Sequence, residues 1–238
     1  MTTTLSINGI EHTLTLTKRR GQKRIVIRKT GATHFTVSAP RRTTLTQVKS
    51  TIKANSTSLA TLMPAMDFKR YLANATELSI FGEHYTVVFT KGDIRRERQG
   101  NTLYMQMKSL SQSNKIAHLE AFLKSLLLAR VETIHKEFQR THPDIAGSDV
   151  GFVAQYMKSR FGSCIPAKRR INFNLALVHY PPMFLRHIYC HEITHMVHKD
   201  HSLRFYAALQ TLDPDYHANA QALRSYHATF ARDNAPRL

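Results

Sequence analysis

The sequence predicts an α+β protein, with a β-rich first part and a mainly helical second part that keeps a small sheet. Two observations carry the prediction. Alternating apolar and polar residues rich in Val, Ile and Thr fill the first forty positions, whereas a long stretch after residue 115 keeps its apolar residues at helical spacing. Glycine and proline mostly fall between these segments, where they punctuate the chain.

Taken in order, "IEHTLTLT" (10–17), "KRIVIRKT" (23–30) and "HFTVSAP" (34–40) read as strands, separated by Gly9, Gly21 and Gly31, the last suited to a hairpin turn. A helix is expected over 45–63, where Leu45, Val48, Ile52 and Leu59 fall near helical spacing. Two strands joined around Gly82 are expected within 76–93, and another over 101–109. The Ser/Asn/Gln-rich "SLSQSNK" (109–115) marks a boundary. The expected domains are a basic β-rich N-terminal region, 1–112, and a catalytic domain, 113–238. In the second, 115–140 is a core helix with a broad apolar face, stopped at His142-Pro143. Strands follow at 150–164 and 169–177. Pro181-Pro182 opens a helix running to about Lys199, since proline is tolerated in a first turn. Ser202 caps the next helix, and Asp213 with Pro214 begins the last. No internal repeat is found.

At 238 residues and 42% hydrophobic, the chain can bury one large core or two small ones. No apolar run is long enough to span a bilayer, and the start lacks the pattern of a secretory signal. Two cysteines, Cys164 and Cys190, make no disulfide framework, so a cytoplasmic location is expected. The formal net charge of +18 is uneven: residues 1–112 hold 18 Lys/Arg against 6 Asp/Glu, and 113–238 hold 16 against 10. Such an excess attracts polyanions without choosing among them. Non-specific nucleic-acid binding through the basic N-terminal region, around "TKRRGQKR" (17–24), is therefore one expected partnership. Oligomeric state is not encoded in any recognisable way.

The densest chemistry lies in "HEITHMVHKDH" (191–201). On a helix His191 and His195 are one turn apart on one face, so both imidazoles can reach one Zn²⁺. Glu192 beside them can act as general base on a metal-activated water. His198 and His201 compete for third ligand. His198 lies roughly 10 Å of axial rise from His191, too far for three rings to converge, whereas His201 follows the expected helix end and can turn back. The site predicted is therefore His191, His195 and His201 on zinc with Glu192 as catalytic base. With 14 histidines in the chain, HExxH alone would arise by chance in roughly 3% of such sequences, and a third histidine at a set distance makes it rarer. A metzincin is excluded: the glycine it needs three residues after the second histidine is His198 here, and no methionine follows Met196.

"SRFGSC" (159–164), "INFNLAL" (171–177), "HEITH" (191–195) and "DHSLRFY" (200–206) stand in the order of the motifs of the YgjP-like metal-dependent hydrolases, which this chain resembles. That family is similar in outline to the SprT-like proteases. The basic hairpin 18–40 extends the resemblance over most of the chain. Phe161, Phe173 and Asp200 depart from the family's usual Trp, Leu and Asn, leaving the four chemical residues in place. The resemblance implies a zincin-like metallopeptidase domain with the same zinc ligands and the same base.

The expected function is zinc-dependent hydrolysis of a peptide bond in a protein or peptide substrate. Two alternatives stand beside it: a basic nucleic-acid-binding protein with a structural zinc site, and a DNA-associated protease of SprT-like type. Strands at 150–158 and 169–174 would offer an edge to an extended peptide. A donor for the developing oxyanion or a supporting imidazole partner is sought among His187, His198, Tyr216, His217, Tyr226 and Arg160, none of them assigned. Asn174 and Ser163 are read as loop-bonding residues, and Cys164 as structural.

Overall fold

A computed structural model describes all residues except 8–9, 31–32, 55–67, 74, 148, 158–159 and 235–238. Among the described residues it has seven α-helices and three small mixed sheets, an α+β protein as expected. Among these residues no helix is long and apolar enough to cross a membrane.

The first sheet contains β1 (Thr2–Ile7), β2 (Ile10–Arg19), β3 (Val26–Lys29) and β4 (His34–Pro40) in the order β1-β2-β4-β3. β2 and β4 run parallel; the outer pairs are antiparallel. Alternation explains its one-sided core: Leu5, Ile7, Leu14, Leu16, Phe35 and Val37 are buried together with Val48 and Ile52 of helix α1 (Leu45–Ala54). The expected continuation of α1 to residue 63, and the turns at Gly9 and Gly31, lie outside the described residues.

The second sheet contains β5 (Glu77–Ile80), β6 (Glu83–Lys91), β7 (Arg95–Gln99) and β8 (Thr102–Met107), ordered β5-β6-β8-β7. Its pairings repeat those of the first: antiparallel, parallel, antiparallel. In both sheets four residues separate the last strand from a helix, α1 in one case and α3 (Gln112–Thr141) in the other. The last of those four caps the helix in each: Thr44 Oγ1 accepts from Gln47 N, and Ser111 Oγ from Asn114 N. The chain therefore does contain an internal repeat. It lies in backbone pairing and capping, and the side chains hide it.

Contacts divide the chain into two compact units, Met1–Met66 with Arg224–Leu238, and Asp67–Leu223. The second sheet thus shares a unit with the helical part, and the boundary read near residue 112 falls within that unit. The first short helix of this unit is α2 (Phe68–Ala73).

The third sheet, β9 (Gly151–Gln155), β10 (Gly162–Ile165) and β11 (Arg170–Asn174), is ordered β10-β11-β9. Two strands therefore replace the single one expected over 150–164. β11 is the central strand, so the peptide edge proposed at 169–174 is already paired; the edges are β9 and β10. Asn174 fixes the turn at the end of β11. Its amide donates to the carbonyls of Met157 and Arg160, and its oxygen accepts from Met157 N and Ala176 N.

Helix α3 does stop before Pro143, which opens the short α4 (Pro143–Ala146). Helix α5 (Pro182–Thr194) starts at the paired prolines but ends five residues before Lys199. There Thr194 turns its hydroxyl back onto the Cys190 carbonyl at 2.7 Å, and the amides of Val197 and His198 both fold onto the Thr194 carbonyl. Most of α5 is buried on all sides, His187, Cys190 and Glu192 included, so it is a central helix and not the one-faced helix that its pattern suggests. Helix α6 (Leu203–Leu212) follows Ser202, whose side chain makes no capping bond. Asp213 ends α6 and does not start the last helix, α7 (Tyr216–Asp233). Its carboxylate is used elsewhere, accepting from Asn219 at 2.7 Å and bonding His187 Nδ1 at 2.6 Å.

Candidate metal centre

His191 lies in the last turn of α5, His195 caps that helix in right-handed conformation, and His201 sits just before α6. The turn after Thr194 brings the chain back, so that the three ring centroids stand 5.0, 5.2 and 4.8 Å apart. One nitrogen from each ring lies within 4.8 Å of the other two. The Nε2 atoms of His191 and His201 face each other at 3.2 Å. Two imidazole nitrogens bound tetrahedrally to one zinc at about 2.0–2.1 Å would be separated by roughly 3.3 Å. The donor set therefore fits a single divalent cation.

The lone pairs are prepared by the surroundings. His195 Nδ1 lies 2.9 Å from the His198 carbonyl, which can only accept, so the neutral ring carries its proton on Nδ1 and leaves Nε2 free. This is the part His198 plays here: it contributes its backbone oxygen. Burial, reinforced by the neighbouring imidazoles, pushes His191 down to about 4, and burial also lowers His195. Both rings are therefore neutral near neutral pH, as ligation requires. Fully buried Phe205 braces the group from α6, with its ring 5.1, 4.5 and 4.8 Å from those of His191, His195 and His201.

Glu192 is only 6% exposed, and β10 builds its niche. A Cβ at Gly162 would stand 2.6 Å from Glu192 Oε1 and 2.7 Å from its Cγ, so only glycine leaves room for this side chain. Two residues on, the Cys164 amide donates to the carboxylate. Burial pushes the carboxyl up to about 7, against the pull of the Arg160 guanidinium and that amide. The Cys164 thiol is pushed up to about 12 by burial and by Glu192, and it contacts Met196 Sδ at 3.7 Å. It is a protonated packing group and no thiolate ligand.

The other side chains considered from the sequence fall into different places. His187 is buried in its pair with Asp213, which ties α5 to the end of α6. Tyr216 stacks on Tyr206 and is covered by His217. Tyr226 belongs to the first compact unit, stacked on Phe230. Exposed Arg160 is the one of the six whose charge acts on Glu192. Sequence reasoning did not reach the parts played by Gly162 and Phe205, and it gave Asp213 to the start of the last helix and not to His187. "FGSC" and "LRFY" lie in the quoted motifs, but nothing local shows that they meet the histidine helix.

A family model described as YgjP-like, metallopeptidase domain, matches residues 23–226. None of the curated proteins compared with the chain matches it.

Proposed function

Since the chain belongs to the YgjP-like metallopeptidase family, we propose that it is a zinc-dependent peptidase in which His191, His195 and His201 hold the ion and Glu192 is the catalytic base. The observation that carries this reading is the convergence of three imidazoles next to a buried carboxylate. When bound, a divalent cation supplies a Lewis acid that polarises the scissile carbonyl and makes water acidic enough to lose a proton near neutral pH.

The chain's own residues do the rest. Glu192, held by β10 with little freedom to move, takes a proton from the attacking water and returns it to the leaving amine. A carboxyl raised by burial is well matched to both halves of that exchange, and a nearby cation draws it back toward its ionised form. Because β10 is an edge strand that reaches Glu192, an extended peptide added there would lay its backbone beside the carboxylate. A cytoplasmic setting accords with two cysteines held as free thiols.

The test compares wild type with Glu192→Gln for bound metal and for peptide hydrolysis. The expected result is equal metal content with kcat/KM lower by about 10²–10⁴-fold. Full activity in the variant would overturn the reading, as would wild-type protein that takes up no divalent transition metal.

A further inference from the structure

Residues 1–54 contain eleven Lys/Arg and one acidic residue, Glu11. The topology of the first sheet sorts these charges in space. β2 and β4 run parallel, so both end at the same edge of the sheet, with Arg19 opposite Pro40. β3 enters from that edge, with Val26 opposite Ser38. Three segments distant in sequence therefore deliver Lys18, Arg19 and Arg20, then Lys23 and Arg24, then Arg41 and Arg42 to one end. Glu11 lies at the other, opposite Ser6.

All seven cations are exposed, and none takes part in an ion pair among the described residues. The loop that carries Lys23 and Arg24 is pinned, since Gln22 donates to the carbonyls of Ser38 and Arg24 at 2.8 and 2.6 Å. Gathering like charges without counter-charges opposes folding, so the stability of the sheet does not account for them.

We propose that this end of the first sheet is a docking surface for the phosphate backbone of double-stranded nucleic acid, read without regard to sequence. Five of the seven are arginines, whose planar fork matches phosphate oxygens in pairs. Three adjacent strands span about 10 Å, over which a duplex presents about six charges. Phe35 is the one Phe, Tyr or Trp in residues 1–54, and it is buried, so the surface has no platform for stacking unpaired bases. Among the described residues, large exposed apolar side chains here are Met1 and Val26, too few for a wedge into lipid. The proposal is independent of the peptidase reading.

The full chain is titrated by anisotropy into a labelled random-sequence duplex of about 30 base pairs at several salt concentrations. Vesicles of phosphatidylcholine with about one quarter phosphatidylserine are titrated in parallel. Log affinity should fall linearly with log salt, and Arg41→Gln with Arg42→Gln should weaken binding about tenfold and flatten that slope by about 2. Lys91→Gln with Lys108→Gln, at the matching positions of the second sheet, should change neither. Because all four positions are exposed, melting temperatures should not fall below the wild-type value. Equal losses from both pairs, no loss from the first pair, or binding to the vesicles but not to the duplex would overturn the proposal.

Discussion

The histidine site and the cationic end of the first sheet are opposite ways of building a function. Around His191, His195, His201 and Glu192, polar groups meet identified partners, such as the His198 carbonyl, the Cys164 amide and the Phe205 face. At the sheet end seven charges have no ion-pair partner among the described residues. The first arrangement depends on a few contacts being correct to fractions of an ångström. The second depends on a sum of charge, which survives small displacements. The two regions should therefore respond differently to the same size of change; two experiments probe that difference, and a third tests a buried histidine outside both.

The largest effect should come from Phe205→Ala, which removes a fully buried ring from beneath the histidines. About 3–5 kcal/mol of unfolding free energy should be lost, measured by urea denaturation. A loss below about 1 kcal/mol would mean that the ring is not the brace it resembles.

Adding one carbon sharpens the comparison further. Gly162→Ala should push the Glu192 carboxylate aside and lower kcat about 100-fold while metal content and duplex affinity stay at wild-type values. An active alanine variant would show that the site tolerates displacement much as the charged surface does.

The smallest effect is one of pH. Burial pushes His179 down to about 4 from its ordinary 6.5, although its Nδ1–H donates to the Ser79 carbonyl at 2.8 Å. Between these two values the unfolded chain binds the proton and the folded chain does not. The stability contributed by the neutral ring is thus complete above pH 6.5 and shrinks as pH falls toward 4. The urea midpoint should decline across that window, less steeply in His179→Gln. Equal declines in the two proteins would remove His179 from the account.

The histidine cluster was legible because its geometry is local: eleven residues contain the spacing, and a helix followed by a turn converts spacing into convergence. Glu192 was legible for the same reason. Its niche was not, because Gly162 lies thirty positions away and reaches it through the pairing of β10 with β11. The end of α5 was misplaced because the pattern of histidines continues past Thr194, whereas the backbone follows the threonine hydroxyl. β7, "RRERQ", gave no strand signal at all. Each of its residues is exposed, so pairing with β8 holds it without any alternation to read. The charge excess was visible in composition, but only the parallel pairing of β2 and β4 brings Arg41 and Arg42 beside Arg19.

The shared strand order of the two four-stranded sheets makes them exchangeable frameworks. Lys91 and Lys108 occupy the places of Arg19 and Arg41, and Ser109 that of Arg42, because both parallel registers close at the same distance from the helix that follows. The part of the cationic surface made by Arg19 and Arg41 thus has a ready counterpart, whereas Lys23 and Arg24 have none, because six residues join β2 to β3 and only three join β6 to β7.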